Sequence, residues 1–415
     1  MDSTYLVLIL GLLFGAYLLD TVANLLNTRH FSPQVPEELR GYYDPEKFEK
    51  SQQYLRENSR FDLITRTVGL SVTIIFILLG GFNSVDQFAR SFGHGEIISG
   101  LIFGGTLMLL RLALSVPFSA YDTFVIEQKY GFNKTTGKTF VLDLIRGTLL
   151  GMILGGALFA GVIFFFENVG PYAWQLSWVI FTLFQIVLTF LAPVLIMPLF
   201  NKFTPLPEGP LKNSIDEYVK KHSFTISGVF TMDGSLRSTK ANAFFTGFGK
   251  FRRLVFFDTL MQRHTNEEVM AILAHEIGHF KRGHIPKSMA LSIASSAVMF
   301  YGLSLLLENQ ELFQAFRMQM VSVYASIVFV GILYSPVLKV FSIFTHSLSR
   351  KFEYEADTYS SETYGKPEIM IAALKKLSTD NLSHLTPHPL KVLLDYTHPP
   401  ILERIRALRL QITKQ

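Results

Sequence analysis

The residues with the clearest chemical potential lie in one short stretch, AILAHEIGHF, at positions 271–280. His275 and His279 are four residues apart, so on a helix they lie about 40° apart around the axis and both imidazoles can bind one ion. Glu276 follows the first histidine and can reach a metal-bound water without ligating the ion, as a general base must. The motif predicts metal-assisted peptide hydrolysis. Two incidental histidines on a helix would give the same short pattern.

An open catalytic zinc site needs a third protein ligand beside its water. His284 follows His279 by five residues, one short of the metzincin spacing, and it can also be read as a surface or helix-capping histidine. The stretch RKFEYEADTYS, which we expect to be helical from about residue 348 to 363, offers three carboxylates: Glu353, Glu355 and Asp357. One of them would complete a site of two histidines and one acid.

The composition indicates where this chemistry takes place. The 415 residues are 49% hydrophobic and 17% charged, with a mean hydropathy of +0.30, which is too apolar for an ordinary soluble protein. Cysteine is absent, which excludes disulfides, thiolate ligands and a cysteine nucleophile. The net charge is +5, and the Lys and Arg residues are spread between the apolar runs. We therefore interpret them as determinants of membrane topology and expect no binding of nucleic acid.

Seven apolar runs are long enough to cross a bilayer as helices. They predict a mainly α, polytopic membrane protein with one polar segment large enough for a separate cap. Asp20 and Arg111 fall inside runs and should face protein or water, because a charge in lipid is costly. The runs cover about 5–26, 63–82, 97–119, 147–166, 174–200, 288–307 and 321–338.

The loops between these runs predict the orientation. Those at 27–61 and 120–146 are rich in Lys and Arg, whereas 83–96 has only Arg90 and 167–173 has neither residue. The positive-inside rule places the first and third loops in the cytoplasm and the N-terminus outside. Alternation then puts the segment after the fifth run and the tail after the seventh on the cytoplasmic side, so a site shared by both is possible.

A small α/β cap is predicted in the long polar segment. The β-rich runs FTISGVF, ANAFFTGFG and RRLVFFD precede a helix over 266–282 with Thr265 or Asn266 as its N-cap and Gly283 at its end. The resulting organisation has membrane helices 1–5, the cap, membrane helices 6–7 and a C-terminal segment that completes the metal site, at 1–200, 201–287, 288–346 and 347–415.

At this level of detail the chain resembles the type I CAAX prenyl proteases, which are seven-helix membrane zinc endopeptidases. The resemblance runs nearly from end to end and implies a barrel of helices around an aqueous chamber, with one Zn²⁺ per chain. Several long blocks in the right order are more specific than the short motif alone. They are FVIEQKYGFNKTT, PLFNKFTPLPEG, MDGSLRSTKANAFFTGFGKFRRLVFFDTL, LAHEIGHFKRGH, RKFEYEAD and THPPILERI.

The family pattern implies that Glu353 is the third zinc ligand and that Asp357 assists it. The two residues are four apart and share a helix face, so Asp357 can hydrogen-bond a ligating imidazole, although a solvated helix acid is the alternative. Glu355 lies about 200° from Glu353 around a helix. It shares a face with Lys351 and Tyr359, which is typical of a solvated ion pair.

The resemblance also implies roles for residues outside the metal ligands. His398 and Arg404 would lie near the metal, with His398 facing a developing oxyanion, although a structural histidine before two prolines is an alternative. Asn242 and Ala243 would belong to an edge strand that holds an extended peptide by backbone pairing. The same residues would also fit an ordinary half-buried strand that binds no substrate.

The expected activity is hydrolysis of a peptide or protein substrate at the bilayer, without a covalent intermediate. The resemblance implies removal of a C-terminal tripeptide from prenylated CAAX proteins or cleavage of other membrane-associated polypeptides in quality control. The lack of cysteine and of long insertions favours a bacterial inner membrane over the endoplasmic reticulum, with the active site on the cytoplasmic side. A transporter or scaffold with the same fold would explain the hydropathy but not the motif residues.

Overall fold

The computed structural model describes residues 4–247 and 252–413. The predicted ANAFFTGFG run extends to residues 248 and 249, which lie outside the described ranges. The main helices are α1 (Thr4–Arg29), α2 (Pro45–Leu78), α3 (Gly81–Arg90), α4 (Glu96–Tyr130), α5 (Gly137–Asn168), α6 (Gly170–Phe200), α7 (Pro210–Lys221), α8 (Asp258–Arg263), α9 (Asn266–Lys281), α10 (His284–Leu306), α11 (Gln310–Ala315), α12 (Val323–Tyr364), α13 (Pro367–Asp380), α14 (Pro389–Asp395) and α15 (Ile401–Ile412).

Within the described ranges, seven helices are long and apolar enough to cross a membrane: α1, α2, α4, α5, α6, α10 and α12. Each covers most of one of the seven predicted runs, which confirms the polytopic fold class. The seventh is longer than predicted. The expected membrane helix ending near 338 and the expected helix beginning near 348 form one continuous helix of 42 residues.

The spanning helices form a closed ring. Each packs against the next one in the chain, and α12 returns to α1. Asp20 of α1 contributes to this closure, because it pairs with Arg66 of α2 at 2.5 Å and with Lys339 of α12 at 2.7 Å. The ion pairs satisfy a charge inside the first predicted membrane run, as burial in lipid would require.

The spanning helices leave most of their apolar surface uncovered by other parts of the described chain. Only 6–17% of the residues in their most apolar stretches are buried, so most of this surface is available to lipid. At the end away from the cap, α3, α11 and the start of α12 close the ring with an apolar cluster that includes Phe82, Phe103, Phe316, Tyr324 and Phe329. The chamber that the family resemblance implies would lie between this cluster and the cap.

The cap contains a four-stranded sheet in the order β1 (Phe203–Pro205), β2 (Gly228–Met232), β4 (Arg253–Phe257) and β3 (Ala243–Thr246). The β2/β4 pair is parallel and the other two pairs are antiparallel. β3 is an edge strand and packs against α9. The predicted α/β cap is thereby confirmed.

Helix α9 begins where its sequence signals place it. The Thr265 side chain accepts a hydrogen bond from the Glu268 backbone N–H, and the Glu268 carboxylate accepts one from the Thr265 N–H. This capping box satisfies N–H groups that the first turn leaves without partners. The helix then packs between the sheet, α12 and α13 with a largely buried surface, so its histidines are held in fixed positions.

Candidate metal centre

Helix α9 aims two imidazoles at one point. The Nε2 atoms of His275 and His279 lie 3.1 Å apart, with the rings nearly perpendicular. Two facing nitrogens at this distance cannot both donate protons. One must donate to the other, or both lone pairs must face a common cation. The side chain of His275 is buried and that of His279 is half-buried, so the pair is accessible from one side.

Glu353 on α12 completes a group of three. Its Oε1 lies 3.2 Å from Nε2 of His279, and its Oε2 lies 3.5 Å from Nε2 of His275. One ligand atom from each of the three residues falls within 4.8 Å of the others. The Oε2 atom is buried and makes no hydrogen bond, although the Arg404 guanidinium lies 3.2 Å from it. Two imidazoles and a carboxylate suit a divalent ion such as Zn²⁺.

Asp357 and Arg404 contact this group of three residues and fix its orientation. Asp357 Oδ1 lies 2.8 Å from Nδ1 of His275, so that imidazole donates from Nδ1 and leaves Nε2 free to bind a metal. Arg404 on α15 donates two hydrogen bonds to Asp357, of 2.7 and 2.8 Å, and also pairs with Oε2 of Glu353 at 3.2 Å. All three of these side chains are buried, so their charges compensate each other inside the cap.

The electrostatic setting favours one positive charge between the histidines. Burial alone would lower the pKa of His275, but hydrogen bonds to Asp357 and Glu353 raise it to about 9. The environment that attracts this proton would equally attract a metal cation in its place. Arg404 also stays positively charged. Burial alone would lower the pKa of its guanidinium, but Asp357 and Glu353 raise it.

Glu276 lies beside the centre without taking part in it. Its side chain is half-buried and makes no hydrogen bond or ion pair with the part of the chain that the structure describes. Burial raises its pKa, and the nearby histidines oppose that effect. A carboxylate with a raised pKa and no protein partner is suited to accept a proton from a bound water.

The remaining predicted residues fall around this centre. His398 lies 3.3 Å from Oε1 of Glu353 through its Nε2, and its side chain is 65% accessible, so it faces open space next to the metal group. Asn242 is exposed immediately before edge strand β3, and its carbonyl accepts a hydrogen bond from Phe257 N–H at 3.0 Å. Ala243 begins the strand itself. His398 thus lies beside the centre, whereas Asn242 and Ala243 are connected to it through the contact of β3 with α9.

Two residues near the centre behave differently from the sequence expectation. His284 is only 3% exposed, which rules out a surface histidine, and its ring stacks on Phe352 at 4.1 Å. Glu355 does approach Lys351, at 3.8 Å, but its other oxygen lies 3.0 Å from Nε2 of His284. The spacing of the two residues, 71 positions apart, gave no local signal of this contact.

Comparisons with known proteins agree with this architecture. A family model described as "CAAX prenyl protease N-terminal, five membrane helices" matches residues 24–202, and the "Peptidase family M48" model matches residues 205–412. The "CAAX prenyl protease 1 homolog" of Oryza sativa subsp. japonica is 34% identical over 98% of both chains. The Homo sapiens protein of the same description is 31% identical and covers 90% of this chain and 88% of its own.

A solved structure supports the fold over the same length. The crystal structure of Ste24p from S. mikatae has a TM-score of 0.93 with this chain at 28% identity, and the match covers 97% of this chain and 99% of that one. A ring of spanning helices capped by a peptidase domain with a His-His-Glu group defines an integral-membrane metallopeptidase. The chain belongs to the type I CAAX prenyl protease family, within the M48 peptidases.

The comparisons confirm some of the sequence predictions and leave one of them unsupported. The family, the membrane metalloendopeptidase activity and the multi-pass membrane location are confirmed. The two relatives named above come from eukaryotes, Oryza sativa and Homo sapiens. They therefore give no support to the predicted preference for a bacterial inner membrane.

Proposed function

We propose that this chain is a zinc-dependent endopeptidase that removes the C-terminal tripeptide from prenylated CAAX proteins. The observation that carries the proposal is the convergence of His275, His279 and Glu353 at the cap end of a helical ring. The relatives named above are described as CAAX prenyl proteases, which supports the substrate class. A chamber between the spanning helices, as the family resemblance implies, would hold a substrate that carries a lipid.

His275, His279 and Glu353 would hold Zn²⁺, which as a Lewis acid would polarise the scissile carbonyl and lower the pKa of a bound water. Glu276 takes the proton of the attacking water and returns it to the leaving amine. Its lack of protein partners leaves both carboxylate oxygens available for this transfer. Asp357 and Arg404 keep His275 and Glu353 in their orientation, while accessible His398 faces the position where negative charge develops on the substrate.

We propose that the substrate binds as an additional strand on β3. The outer edge of β3 has no strand partner among the described residues, and its backbone lies against the helix that carries the histidines. Exposed Asn242 can add side-chain hydrogen bonds to a peptide in this position. Strand addition would hold the scissile bond extended and fix its register by main-chain pairing.

The cap is proposed to face the cytoplasm, because the loops 27–61 and 120–146 on the same side carry ten Lys and Arg residues, whereas 83–96 has only Arg90 and 167–173 has none. A prenylated protein attached to the cytoplasmic leaflet would then reach the centre without crossing the bilayer.

The test uses the purified protein in lipid vesicles with three substrates: a farnesylated CAAX peptide, the same peptide without the farnesyl group, and an unrelated membrane-bound peptide. We expect cleavage of the farnesylated peptide alone, loss with a zinc chelator and recovery when zinc is restored. Glu276→Gln should retain zinc and lose activity by about 10²-fold or more, because the base is absent. Near-normal turnover by Glu276→Gln contradicts the mechanism, and equal cleavage of all three peptides contradicts the substrate class.

A further inference from the structure

His279 is supported on the side away from the metal position by two residues in series. Its Nδ1 lies 3.0 Å from Nδ1 of His284, and Nε2 of His284 lies 3.0 Å from Oε2 of Glu355. The chain of contacts joins three elements, since His279 is on α9, His284 begins α10 and Glu355 is on α12. The glycine between the first two helices, Gly283, has a positive φ of 67°, and the turn there brings His284 back beside His279.

The proton positions along this chain depend on one another. An ionised Glu355 can only accept, so His284 must donate from Nε2. A neutral imidazole has a single N–H, so Nδ1 of His284 is then an acceptor and Nδ1 of His279 must donate to it. The remaining nitrogen of His279, Nε2, is left with a lone pair directed at His275 and Glu353. That is the tautomer a metal ligand requires.

The opposite arrangement is unfavourable for a definite reason. If Nδ1 of His284 donated to His279, His284 would carry protons on both nitrogens and a positive charge. The Nε2 of His279 would then hold the proton, at the position where a metal ion must bind. A buried imidazolium beside a bound cation combines desolvation with like-charge repulsion. An ionised Glu355 with a neutral His284 therefore leaves Nε2 of His279 free to coordinate a metal ion.

We infer that Glu355 and His284 are positioning residues that fix the tautomer and ring orientation of His279 for metal binding. The inference rests on the proposed zinc site. Each histidine ligand then has a carboxylate that sets its tautomer. Asp357 contacts His275 directly, and Glu355 acts on His279 through the imidazole of His284. Helix α12 thus supplies three carboxylates with separate tasks: Glu353 to the metal position, Asp357 to His275 and Glu355 to His284.

Packing holds the ring of His284 in place between His279 and Glu355. The ring of His284 is stacked on Phe352 with an interplanar angle of 9°, which fixes the plane in which its two nitrogens lie. The contact of Glu355 with Lys351 contributes little to this arrangement. Lys351 is 70% accessible and 3.8 Å away, and an ion pair of that kind is worth at most about 1 kcal/mol.

The experiment measures the zinc dissociation constant of the full-length protein in detergent by competition with a chelator of known affinity. Glu355→Ala should weaken zinc binding by about 10- to 100-fold, the usual cost of losing a residue that orients a metal ligand. Glu355→Gln keeps an acceptor oxygen for His284 and should lose severalfold less. Lys351→Ala removes the other partner of Glu355 and should bind zinc as the parent does.

The thermal stability of the metal-free proteins distinguishes positioning from a purely structural role. We expect metal-free Glu355→Ala to unfold close to the temperature of metal-free Lys351→Ala, with the difference confined to zinc affinity. Unchanged zinc affinity in Glu355→Ala overturns the inference, as does a loss of affinity no greater than that of Lys351→Ala. If Glu355→Ala does not fold, the affinity of Glu355→Gln relative to Lys351→Ala decides in the same way.

The failure of this inference differs from the failure of the proposed function. A parent protein that binds no zinc and cleaves no peptide contradicts the proposed function. A parent that binds zinc tightly, with both Glu355 variants equal to it, contradicts only the role assigned to Glu355 and His284.

Discussion

Gly278 of α9 and Ala356 of α12 are in such close contact that a Cβ on Gly278 would lie 3.1 Å from both the Cα and the carbonyl oxygen of Ala356. The two residues are neighbours of metal-centre side chains, since Gly278 precedes His279 and Ala356 precedes Asp357. A buried hydrogen bond from Ser360 to the carbonyl of Ala271 joins the same two helices at 2.9 Å. The absence of a side chain at Gly278 thus sets how closely the histidine helix approaches the glutamate helix.

Gly278→Val should therefore separate α9 from α12 and weaken metal binding. The neighbouring atoms are backbone and cannot rotate away, so we expect a destabilisation of about 1–3 kcal/mol together with loss of zinc and activity. Gly302→Ala is the control, because a Cβ at that helical glycine meets nothing within 4 Å. Metal content and thermal unfolding measure both effects. A fully zinc-loaded Gly278→Val protein would contradict this explanation of the close contact.

Arg404 should be far more important for stability than a neighbouring arginine on the same helix. Arg404→Ala removes a buried countercharge of Asp357 and Glu353, and removal of one partner of a buried pair costs about 3–5 kcal/mol. Arg406 pairs with Glu38 at the surface and is 63% accessible, so Arg406→Ala should cost about 0–1 kcal/mol. Thermal unfolding of the two variants compares them directly, and equal losses would contradict the role of Arg404.

His384 should make the C-terminal segment sensitive to acid. Burial lowers its pKa from 6.5 to about 4, aided by nearby His30 and opposed by a hydrogen bond to the carbonyl of Asn27. Its Nδ1 accepts from the backbone N–H of Thr386, a role that protonation would abolish. The unfolded chain takes up a proton below pH 6.5 whereas the folded one does not, so stability falls as the pH drops from 6.5 to 4.

This linkage amounts to about 3 kcal/mol over that range. The measurement is the unfolding temperature between pH 7 and pH 4.5 for the parent and for His384→Gln, which can still donate to Asn27 but does not titrate. We expect the parent to lose more stability on acidification than the variant. Parallel pH profiles would show that His384 is not the responsible group.

The absence of cysteine allows a direct test of the proposed topology. Single cysteines can replace exposed Lys220 in the cap, Arg409 in the last helix and Ser91 in the loop at the opposite end. With a reagent that does not cross the membrane, we expect Ser91→Cys to react from outside in intact cells and the other two only after permeabilisation. Labelling of Lys220→Cys from outside would reverse the proposed orientation.

The sequence predicted those features that depend on local signals. The periodicity of apolar runs located all seven spanning helices, and the capping residues placed the start of α9 at Asn266. The spacing of Glu353 and Asp357 predicted that they share a helix face, and the family resemblance implied that this face meets the histidines; both acids do approach His275. Each of these arguments uses residues only a few positions apart.

Features that depend on distant contacts were not predicted. The seventh run was expected to end near 338, yet the helix continues to Tyr364, and Lys339 pairs there with Asp20 and Asp395. The burial of His284 and its contact with Glu355 depend on how α10 and α12 pack. No local pattern in the sequence contains that information.

The central claim is that His275, His279 and Glu353 together hold one zinc ion. The most direct measurement is the zinc content per chain after dialysis against a moderate chelator, for the parent, Glu353→Ala and Glu362→Ala. Glu362 lies on the same helix, but it is exposed and forms only a 3.7 Å surface pair with Arg282. The account predicts one zinc per chain in the parent and in Glu362→Ala and almost none in Glu353→Ala, because two histidines alone leave the ion under-coordinated. A Glu353→Ala protein that retains a full equivalent of zinc would contradict it.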